Sequence, residues 1–385
     1  MIDFSIDDET QAVIERVRAI AEAGVKYSRY YDENEDELAP NRLPEADQFR
    51  GQGFGGKAGG IKATDEALYI LESSSIDGLP LSQGRRDMGN HTLDAMGTPE
   101  QKERFSRLSF SFSMTEPGCG SDPSATRTTA ELDDDEWVIN GEKIFVSGGM
   151  RTDGAIVWAT IDREAGLAGI KPFIVLKGTP GFEIASKEKK LGVRAQDTAA
   201  QVFNHCRIPR DQLLGGDEHV PRTGSGGYGG AIATLNKTRP RVSAVGIGHA
   251  LGCLRFCTEE LKKEGIEVDY GVGVHSRSAA QQKLIEMEAD TEAATLSVLR
   301  ATTMADARQP NGLESSICKS KGGEIARSVP QRSLELLGGS GLNREYRVEK
   351  RLRDARVTDI YEGTGQIMQL IIARHILGYK AGELR

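Results

Sequence analysis

The spacing of apolar residues predicts helices at both ends of the chain. In residues 10–23, apolar side chains recur at the three- and four-residue steps of a helix face, and residues 64–73 form a second helical run. A helical pattern returns at about residue 231, and from Leu284 to Ala305 small and apolar residues form one long stripe. Such a stripe is typical of a helix packed lengthwise against others in a four-helix bundle, so it is interpreted as core.

The middle of the chain has the pattern of short strands instead. Apolar and β-branched runs are bounded by Gly, Pro and Asp, with no helical stretch between them. Asn140-Gly141 tolerates the positive φ angles of a tight turn, so residues 137–146 are predicted to form a hairpin. The spacing of the runs predicts an antiparallel barrel or sandwich. The strand-like runs are residues 137–139, 143–146, 155–161, 171–176 and 201–208.

These patterns predict an α+β multidomain fold. The expected domains are an N-terminal helical domain (residues 1–111), a middle β domain (112–222) and a C-terminal helical bundle (223–385). A length of 385 residues suits two or three packed cores.

The composition is that of a soluble globular protein, with 38% hydrophobic and 28% charged residues. A net charge of −8 argues against nucleic-acid binding. The chain has no run of roughly 18 apolar residues and no secretory signal pattern, so no membrane insertion and a cytoplasmic location are expected. Five cysteines without a CxxC pair and six histidines without HExxH predict reduced thiols and no metal site. Acidic runs at residues 32–37 and 133–136 are expected to be solvated.

A glycine-rich segment, residues 51–56, matches the GxGxxG pattern of dinucleotide-binding loops. That pattern requires a preceding strand, but residues 45–50 are polar. The segment is therefore interpreted as a flexible loop.

Two motifs are candidates for chemistry. MTEPGCGSD, residues 114–122, is a turn in which Gly118 and Gly120 allow close approach to a planar ligand, although a plain turn would look the same. IYEGTGQ, residues 360–366, places one carboxylate, Glu362, before an apolar helix. Partial desolvation would make Glu362 a general base. The structural alternative is a carboxylate that interacts with the helix dipole, with Thr364 as the cap.

Four segments in sequence order carry a family resemblance. From about residue 60 onwards the chain resembles the acyl-CoA dehydrogenases, whose signature resembles MTEPGCGSD and whose closing segment resembles RDARVTDIYEGTGQIMQLIIARHILG. LNKTRP, residues 235–240, and LELLGGSGLNREYRVEK, residues 334–350, lie between them in the expected order. The resemblance implies a helical domain, a barrel-like β domain and a four-helix bundle.

The resemblance also implies the reaction, in which Glu362 removes the α-proton of an acyl-CoA thioester while the β-hydrogen leaves as hydride to N5 of FAD. Ordinary glutamate, with a pKa of about 4.3, is too weak a base for an unactivated α-proton. Substrate desolvation is expected to raise its pKa, and the Glu362 amide and a flavin ribityl hydroxyl are expected to polarise the thioester. Some relatives carry the base at the position of Thr238, which has no carboxylate.

Further site residues follow from the same motif matches. Arg239 has a structural alternative as an ion pair within its helix. The expected FAD contacts are Phe112, Met114, Thr115, Ser121, Phe145, Ser147, Tyr270, Gly339, Thr364 and Gln366. The expected substrate contacts are Ser121, Leu235, Asn236, Arg239, Tyr361 and Gly363.

Two departures from the family pattern concern the FAD pyrophosphate. Glu267 stands where the family has an arginine, and Glu335 stands where it commonly has a glutamine. Arg277 or a cation from another subunit is the expected compensation. The departures leave open whether the assembly is a homotetramer or a heteromer.

Three functions remain open from the sequence. The first is an acyl-CoA dehydrogenase of fatty acid metabolism that passes electrons to an electron-transfer flavoprotein. The second is a flavin acyl-CoA oxidase or desulfinase. The third is one subunit of a heteromeric acyl-CoA dehydrogenase, although the presence of Glu362 argues against a role limited to binding.

Overall fold

The N-terminal region is helical, as predicted. The computed structural model describes residues 6–40, 62–76, 88–221, 228–380 and 383. Asp7 begins the first helix by accepting a hydrogen bond from the Thr10 amide at 2.7 Å. The glycine-rich segment 51–56 lies outside the described residues. The helices are α1 (Asp8–Glu33), α2 (Ala63–Ile76), α3 (Met88–Met96) and α4 (Pro99–Phe105).

A seven-stranded sheet follows these helices. Its order is β1-β4-β2-β3-β7-β6, and β5 pairs with β4. Four pairings are antiparallel, whereas β1 and β2 each run parallel to β4. The strands are β1 (Phe110–Ser113), β2 (Thr129–Asp133), β3 (Glu136–Ser147), β4 (Gly154–Thr160), β5 (Ile170–Leu176), β6 (Phe182–Lys187) and β7 (Thr198–Pro209).

The predicted hairpin at Asn140-Gly141 is wrong, because β3 runs through both residues as one strand. Gly141 has a φ of 148°, at a point where the register against β7 shifts. A Cβ there would stand 2.5 Å from the Thr128 Oγ1. Glycine is therefore needed for an irregularity and a close approach, not for a turn. The hairpin turn lies in the acidic run instead, where Asp134 has a φ of 54° between β2 and β3.

The C-terminal region is a bundle of long helices. The stripe predicted as core lies on one helix, and its residues from Leu284 to Ala301 are buried. They pack with buried residues from α2 and from the two other long helices. The helices are α5 (Tyr228–Lys263), α6 (Ala279–Asp306), α7 (Gly312–Leu337), α8 (Val348–Arg356) and α9 (Gly365–Leu377).

Ion pairs of two buried carboxylates join the N-terminal helices to the bundle. Glu72 of α2 binds Arg18 of α1 at 2.7 Å and Arg255 of α5 at 2.9 Å. Asp32 of α1 binds Arg353 of α8 at 2.7 Å. Asp32 is buried, so the expectation that the whole run 32–37 is solvated is wrong. In the part of the chain that the structure describes, no helix is both long and apolar enough to cross a bilayer.

Candidate active site

Glu362 lies in a strained turn between α8 and α9. Its φ is 58°, and Gly363 follows with a φ of 101°, so two consecutive residues are left-handed. Only glycine adopts this region without cost. Thr364 then begins α9, because its Oγ1 accepts a hydrogen bond from the Ile367 amide at 3.3 Å. The expected structural role of Thr364 is thus confirmed, while its contact with FAD stays a prediction.

The carboxylate of Glu362 faces Thr238 of α5. The Thr238 Oγ1 donates to the Glu362 Oε2 at 2.6 Å. The side chain lies among protein atoms yet keeps partial exposure. Burial raises the pKa of Glu362 above its ordinary value, although Thr238, Lys319 and Arg239 act in the opposite direction. A partly accessible carboxylate with a raised pKa has the properties of a general base.

The main chain of this turn is held by two cations. The Arg239 Nε donates to the Glu362 carbonyl at 3.1 Å, and the Lys319 Nζ of α7 donates to the Gly363 carbonyl at 3.0 Å. Arg239 also donates to the Asn236 side chain at 3.0 Å. These contacts differ from the helix ion pair considered as its alternative. The structure therefore places the Arg239 guanidinium against the turn that carries Glu362.

Most residues expected to contact substrate surround the same turn. Leu235 and Asn236 lie one helical turn before Arg239 on α5, and the Asn236 carbonyl accepts from the Ser315 Oγ at 2.9 Å. Tyr361 is 38% exposed. Ser121 is exposed and lies after β1, on a different element. Substrate contacts at these positions stay predictions.

A buried ion pair shapes the turn after β1, residues 114–122. Glu116 accepts from the Lys143 Nζ at 2.8 Å, and from the amides of Arg127 at 2.8 Å and Thr128 at 3.0 Å. Lys143 also donates to the Met114 carbonyl at 3.1 Å. Burial raises the pKa of Glu116, but the Lys143 charge and these hydrogen bonds outweigh it and hold the pKa below its ordinary value. This pair, absent from the sequence analysis, fixes the turn that carries Met114, Thr115 and Ser121.

Aromatic and hydroxyl side chains near that turn are uncovered. Phe145 of β3 is 58% exposed and has a φ of 57°, and Ser147 is exposed on the same strand. Phe112 of β1 is half-buried against Trp158, with ring centroids 5.7 Å apart. A large aromatic ring exposed on a strand is typical of a surface that a planar ligand covers.

The remaining positions expected to contact FAD lie on three different parts of the helical bundle, and Tyr270 is in the connection from α5 to α6. Tyr270 is 62% exposed and donates its hydroxyl to Glu288. Gly339 is exposed just after α7, and Gln366 is exposed on α9. The Arg277 Nη2 donates to the Tyr270 carbonyl at 3.3 Å, while its buried Nε has no hydrogen-bond partner among the described residues.

The two acidic departures have lysine partners within the chain. Glu267 binds Lys262 at 2.5 Å, and Glu335 lies 3.7 Å from Lys283. Neither carboxylate therefore presents a bare negative charge to a phosphate.

These features fit a flavin dinucleotide. Phe145 supplies an uncovered π surface, and Ser147 supplies a hydroxyl. Positions 118 and 120 have open space where a Cβ would stand, as far as the described residues reach. Arg277 has a guanidinium nitrogen free for a phosphate. A helical and β fold with this cradle and a base-like carboxylate is that of a flavin enzyme that uses a carboxylate to move a proton.

Comparisons with known proteins agree with this class. Residues 111–206 match the family described as acyl-CoA dehydrogenase, middle domain, and residues 225–377 match its C-terminal domain. The chain is 34% identical over 337 residues to acryloyl-CoA reductase (NADH) of Anaerotignum propionicum, covering 84% of this chain and 82% of that protein. It is 30% identical to a probable acyl-CoA dehydrogenase of Mycobacterium leprae, covering 97% of both chains. The structure of butyryl-CoA dehydrogenase from Megasphaera elsdenii superposes with a TM-score of 0.80 at 26% identity, covering 98% of this chain and all of that one.

The chain belongs to the acyl-CoA dehydrogenase family. It is a flavin-dependent oxidoreductase whose cofactor is FAD and whose reaction is the dehydrogenation of acyl-CoA thioesters. The predicted family and fold class are confirmed. The domain boundaries and the individual roles of the site residues stay predictions.

Proposed function

We propose that Glu362 is the general base that removes the α-proton of the acyl-CoA thioester. The carboxylate takes the proton, the α C–H electron pair becomes the new double bond, and the β-hydrogen leaves with its own electron pair. FAD, when bound, supplies the acceptor for that hydride. The observation that carries the proposal is the partly accessible carboxylate with a raised pKa, aimed by the Thr238 hydroxyl at 2.6 Å.

The raised pKa of Glu362 suits this reaction. A base is more effective as its pKa approaches that of the carbon acid, and desolvation raises it further once substrate excludes water. Arg239 and Lys319 limit the rise that burial causes in the pKa of Glu362, because both cations favour the anion.

We infer that the natural substrate has a short saturated acyl chain of three or four carbons. The support is that two relatives are named for acryloyl-CoA and butyryl-CoA, which carry chains of those lengths. Fatty chains of greater length need a deeper pocket, and each methylene that fits or fails to fit a pocket changes specificity by about 1–3 kcal/mol.

A panel of thioesters tests the activity and the chain length together. Purified FAD-loaded protein is mixed without oxygen with propionyl-, butyryl-, octanoyl- or palmitoyl-CoA, and loss of the yellow absorbance is followed. We expect bleaching by propionyl- or butyryl-CoA at a second-order rate at least about tenfold above that for octanoyl-CoA. A preference for octanoyl- or palmitoyl-CoA would contradict the short-chain proposal, and no bleaching by any thioester would contradict the function.

The name of one relative favours the reverse direction as a second candidate. Acryloyl-CoA reductase (NADH) is named for reduction of a 2-enoyl thioester. The test compares two rates: the return of the yellow colour when dithionite-reduced protein is mixed with acryloyl-CoA, and the bleaching of oxidised protein by propionyl-CoA. A faster return than bleaching would favour the reductive direction.

We infer that Arg277 binds the FAD pyrophosphate in place of the family arginine replaced by Glu267. The support is its buried and unpartnered Nε among the described residues, beside Tyr270. A charge-assisted hydrogen bond contributes about 1.5–3 kcal/mol. Arg277→Leu is therefore expected to weaken FAD binding about 10- to 100-fold, measured by titrating apoprotein with FAD.

The matched control for Arg277 is Arg300→Leu on α6. Arg300 is exposed and pairs with Glu314 at 3.4 Å. Its replacement should leave FAD affinity within about twofold. Equal FAD affinity in the Arg277 and Arg300 variants would show that another group binds the pyrophosphate.

We infer further that an electron-transfer flavoprotein accepts the electrons, that the protein is cytoplasmic and that it is oligomeric. The five buried cysteine thiols suit a reducing compartment. The end of α9 supports an assembly, because Ile376 and Leu377 are 70% and 60% exposed. The lysine partners of Glu267 and Glu335 offset part of the negative charge at these two positions, which favours a homotetramer.

A further inference from the structure

Lys319 is fully buried inside the C-terminal bundle, where lysine is rarely found. Burial lowers the pKa of Lys319 to about 8, while the carboxylates of Glu362 and Asp359 act in the opposite direction. Holding an ammonium here costs free energy that a methionine of similar length would avoid. The Lys319 ammonium donates a hydrogen bond at 3.0 Å to the carbonyl of Gly363, in the turn that carries Glu362.

That acceptor lies at a strained point of the chain. A left-handed residue other than glycine costs about 1–2 kcal/mol and persists only where its surroundings hold it. Glu362 is such a residue, with a φ of 58°. The two carbonyls that follow its Cα, those of residues 362 and 363, are held from α5 by Arg239 and from α7 by Lys319. Two different helices thus fix two consecutive peptide planes.

We propose that Lys319 is a positioning residue for Glu362, which holds the turn through the Gly363 carbonyl and favours the carboxylate form of the base through its charge. This inference rests on the proposed role of Glu362. The contact that Lys319 makes at the site is with a main-chain carbonyl of the turn. Its effect is exerted through the orientation and protonation of another residue.

Several other charged groups face the same site. Arg239 and Arg241, both on α5, also favour the charged form of the Glu362 side chain. Arg241 is itself bound to Glu66 of α2 at 2.5 Å, so part of its charge is offset. Cys318 and Asp359 face Lys319 and favour its charged form. The charge of Arg241 is therefore offset by a carboxylate outside the site. The carboxylates that act on Lys319 and Arg239 are those of the site itself, Glu362 and Asp359.

The pH dependence of bleaching separates this role from a packing role. Removal of the Lys319 charge should raise the pKa of Glu362, because an opposite charge nearby lowers a carboxyl pKa by about one to three units. A base must be deprotonated to act. The pH at which the bleaching rate inflects, called the inflection below, should therefore rise. For Lys319→Met with butyryl-CoA we expect an upward shift of about one pH unit and a roughly tenfold loss on the acidic side. Rates at high pH should recover towards those of the wild type.

Two further variants of Lys319 divide charge from hydrogen bonding. Lys319→Gln keeps a donor without the charge, so its inflection should shift as in Lys319→Met. Lys319→Arg keeps the charge and should keep the wild-type inflection. All are assayed as FAD-loaded protein whose melting temperature and flavin content are measured first.

The matched control is Lys321→Met, two residues further along α7. Lys321 pairs with Glu324 at 3.2 Å near the surface, and its replacement should leave the inflection unchanged. An inflection within about 0.3 unit of wild type in both neutral variants would overturn the proposal. So would an equal loss of rate at every pH, or failure of both neutral variants to fold, since either result marks a purely structural lysine. These outcomes differ from failure of the base assignment, in which Glu362→Gln would bleach at the wild-type rate.

Discussion

Glu362→Gln should bleach with substrate at least about 1,000-fold more slowly than the wild type. Proton transfer by a positioned base contributes roughly 10²- to 10⁴-fold, and an amide cannot take the α-proton. The substitution keeps size and shape, so the Thr238 hydroxyl can still donate to the side-chain oxygen at position 362. Arg239 and Lys319 bind main-chain carbonyls, which the substitution leaves in place. FAD content and the flavin spectrum should therefore be unchanged.

The stability of the same variant gives a second check with a definite sign. Because the folded protein raises the pKa of Glu362, the preference for the protonated form contributes stability below the unfolded-state pKa and is lost as pH rises through the folded-state pKa. The neutral glutamine does not titrate, so the variant does not show this loss of stability as pH rises. The melting temperature of Glu362→Gln should equal or exceed that of the wild type at about pH 8, and the difference should vanish below about pH 4.

Glu324→Gln, a surface replacement, serves as the control for bleaching. Bleaching at the wild-type rate by Glu362→Gln would remove this residue from the mechanism.

The sequence was sufficient for the helical framework and for the cap of α9, and the physical reasons are local. The stripe from Leu284 to Ala301 follows the period of one helix, and its burial needs no knowledge of partners. Thr364 caps α9 through a hydrogen bond three residues along the chain. Contacts of this range are encoded in a short window, so the pattern alone predicts them.

The site residues that the sequence analysis missed make contacts over long sequence separations. Lys319 lies 44 residues from the carbonyl it binds, and Lys143 lies 27 residues from Glu116. A lysine in a helix or strand pattern is normally interpreted as solvent-facing. The small residues Gly322 and Gly323 after Lys319 were the available signal for close helix packing, since a Cβ on either would stand within 3 Å of another residue.

The error at Asn140-Gly141 has the same origin. A pair that suits a tight turn also suits a bulge, and the choice depends on the neighbouring strand. Here β7 is long enough to pair along both halves of β3, so the chain continues instead of reversing. Phe203, which pairs with Gly141 on that strand, lies 62 residues further along the chain, so a local pattern cannot show it.

Lys143→Met should destabilise the protein by about 3–5 kcal/mol, the usual cost of leaving one member of a buried ion pair alone. Glu116 would remain buried with its two main-chain donors but without its cation. At about 2 °C or more for each kcal/mol in a chain of this size, the melting temperature should fall by about 6–10 °C. The turn held by this pair carries Met114, Thr115 and Ser121, so FAD should also dissociate more readily. Differential scanning fluorimetry with flavin fluorescence measures both effects.

A double variant and an exposed pair complete the test of Lys143. Lys143→Met combined with Glu116→Leu removes both charges, so it should lose less stability than the sum of the two single losses. Arg104→Met breaks an exposed ion pair, in which Arg104 lies 2.9 Å from Asp211, and should change stability by no more than about 0.5 kcal/mol. If Lys143→Met melts within about 2 °C of the wild type, Glu116 must take up a proton when the ammonium is lost. In that case the turn would be held by the amides of Arg127 and Thr128 and not by charge, and stability of the variant would then fall as pH rises.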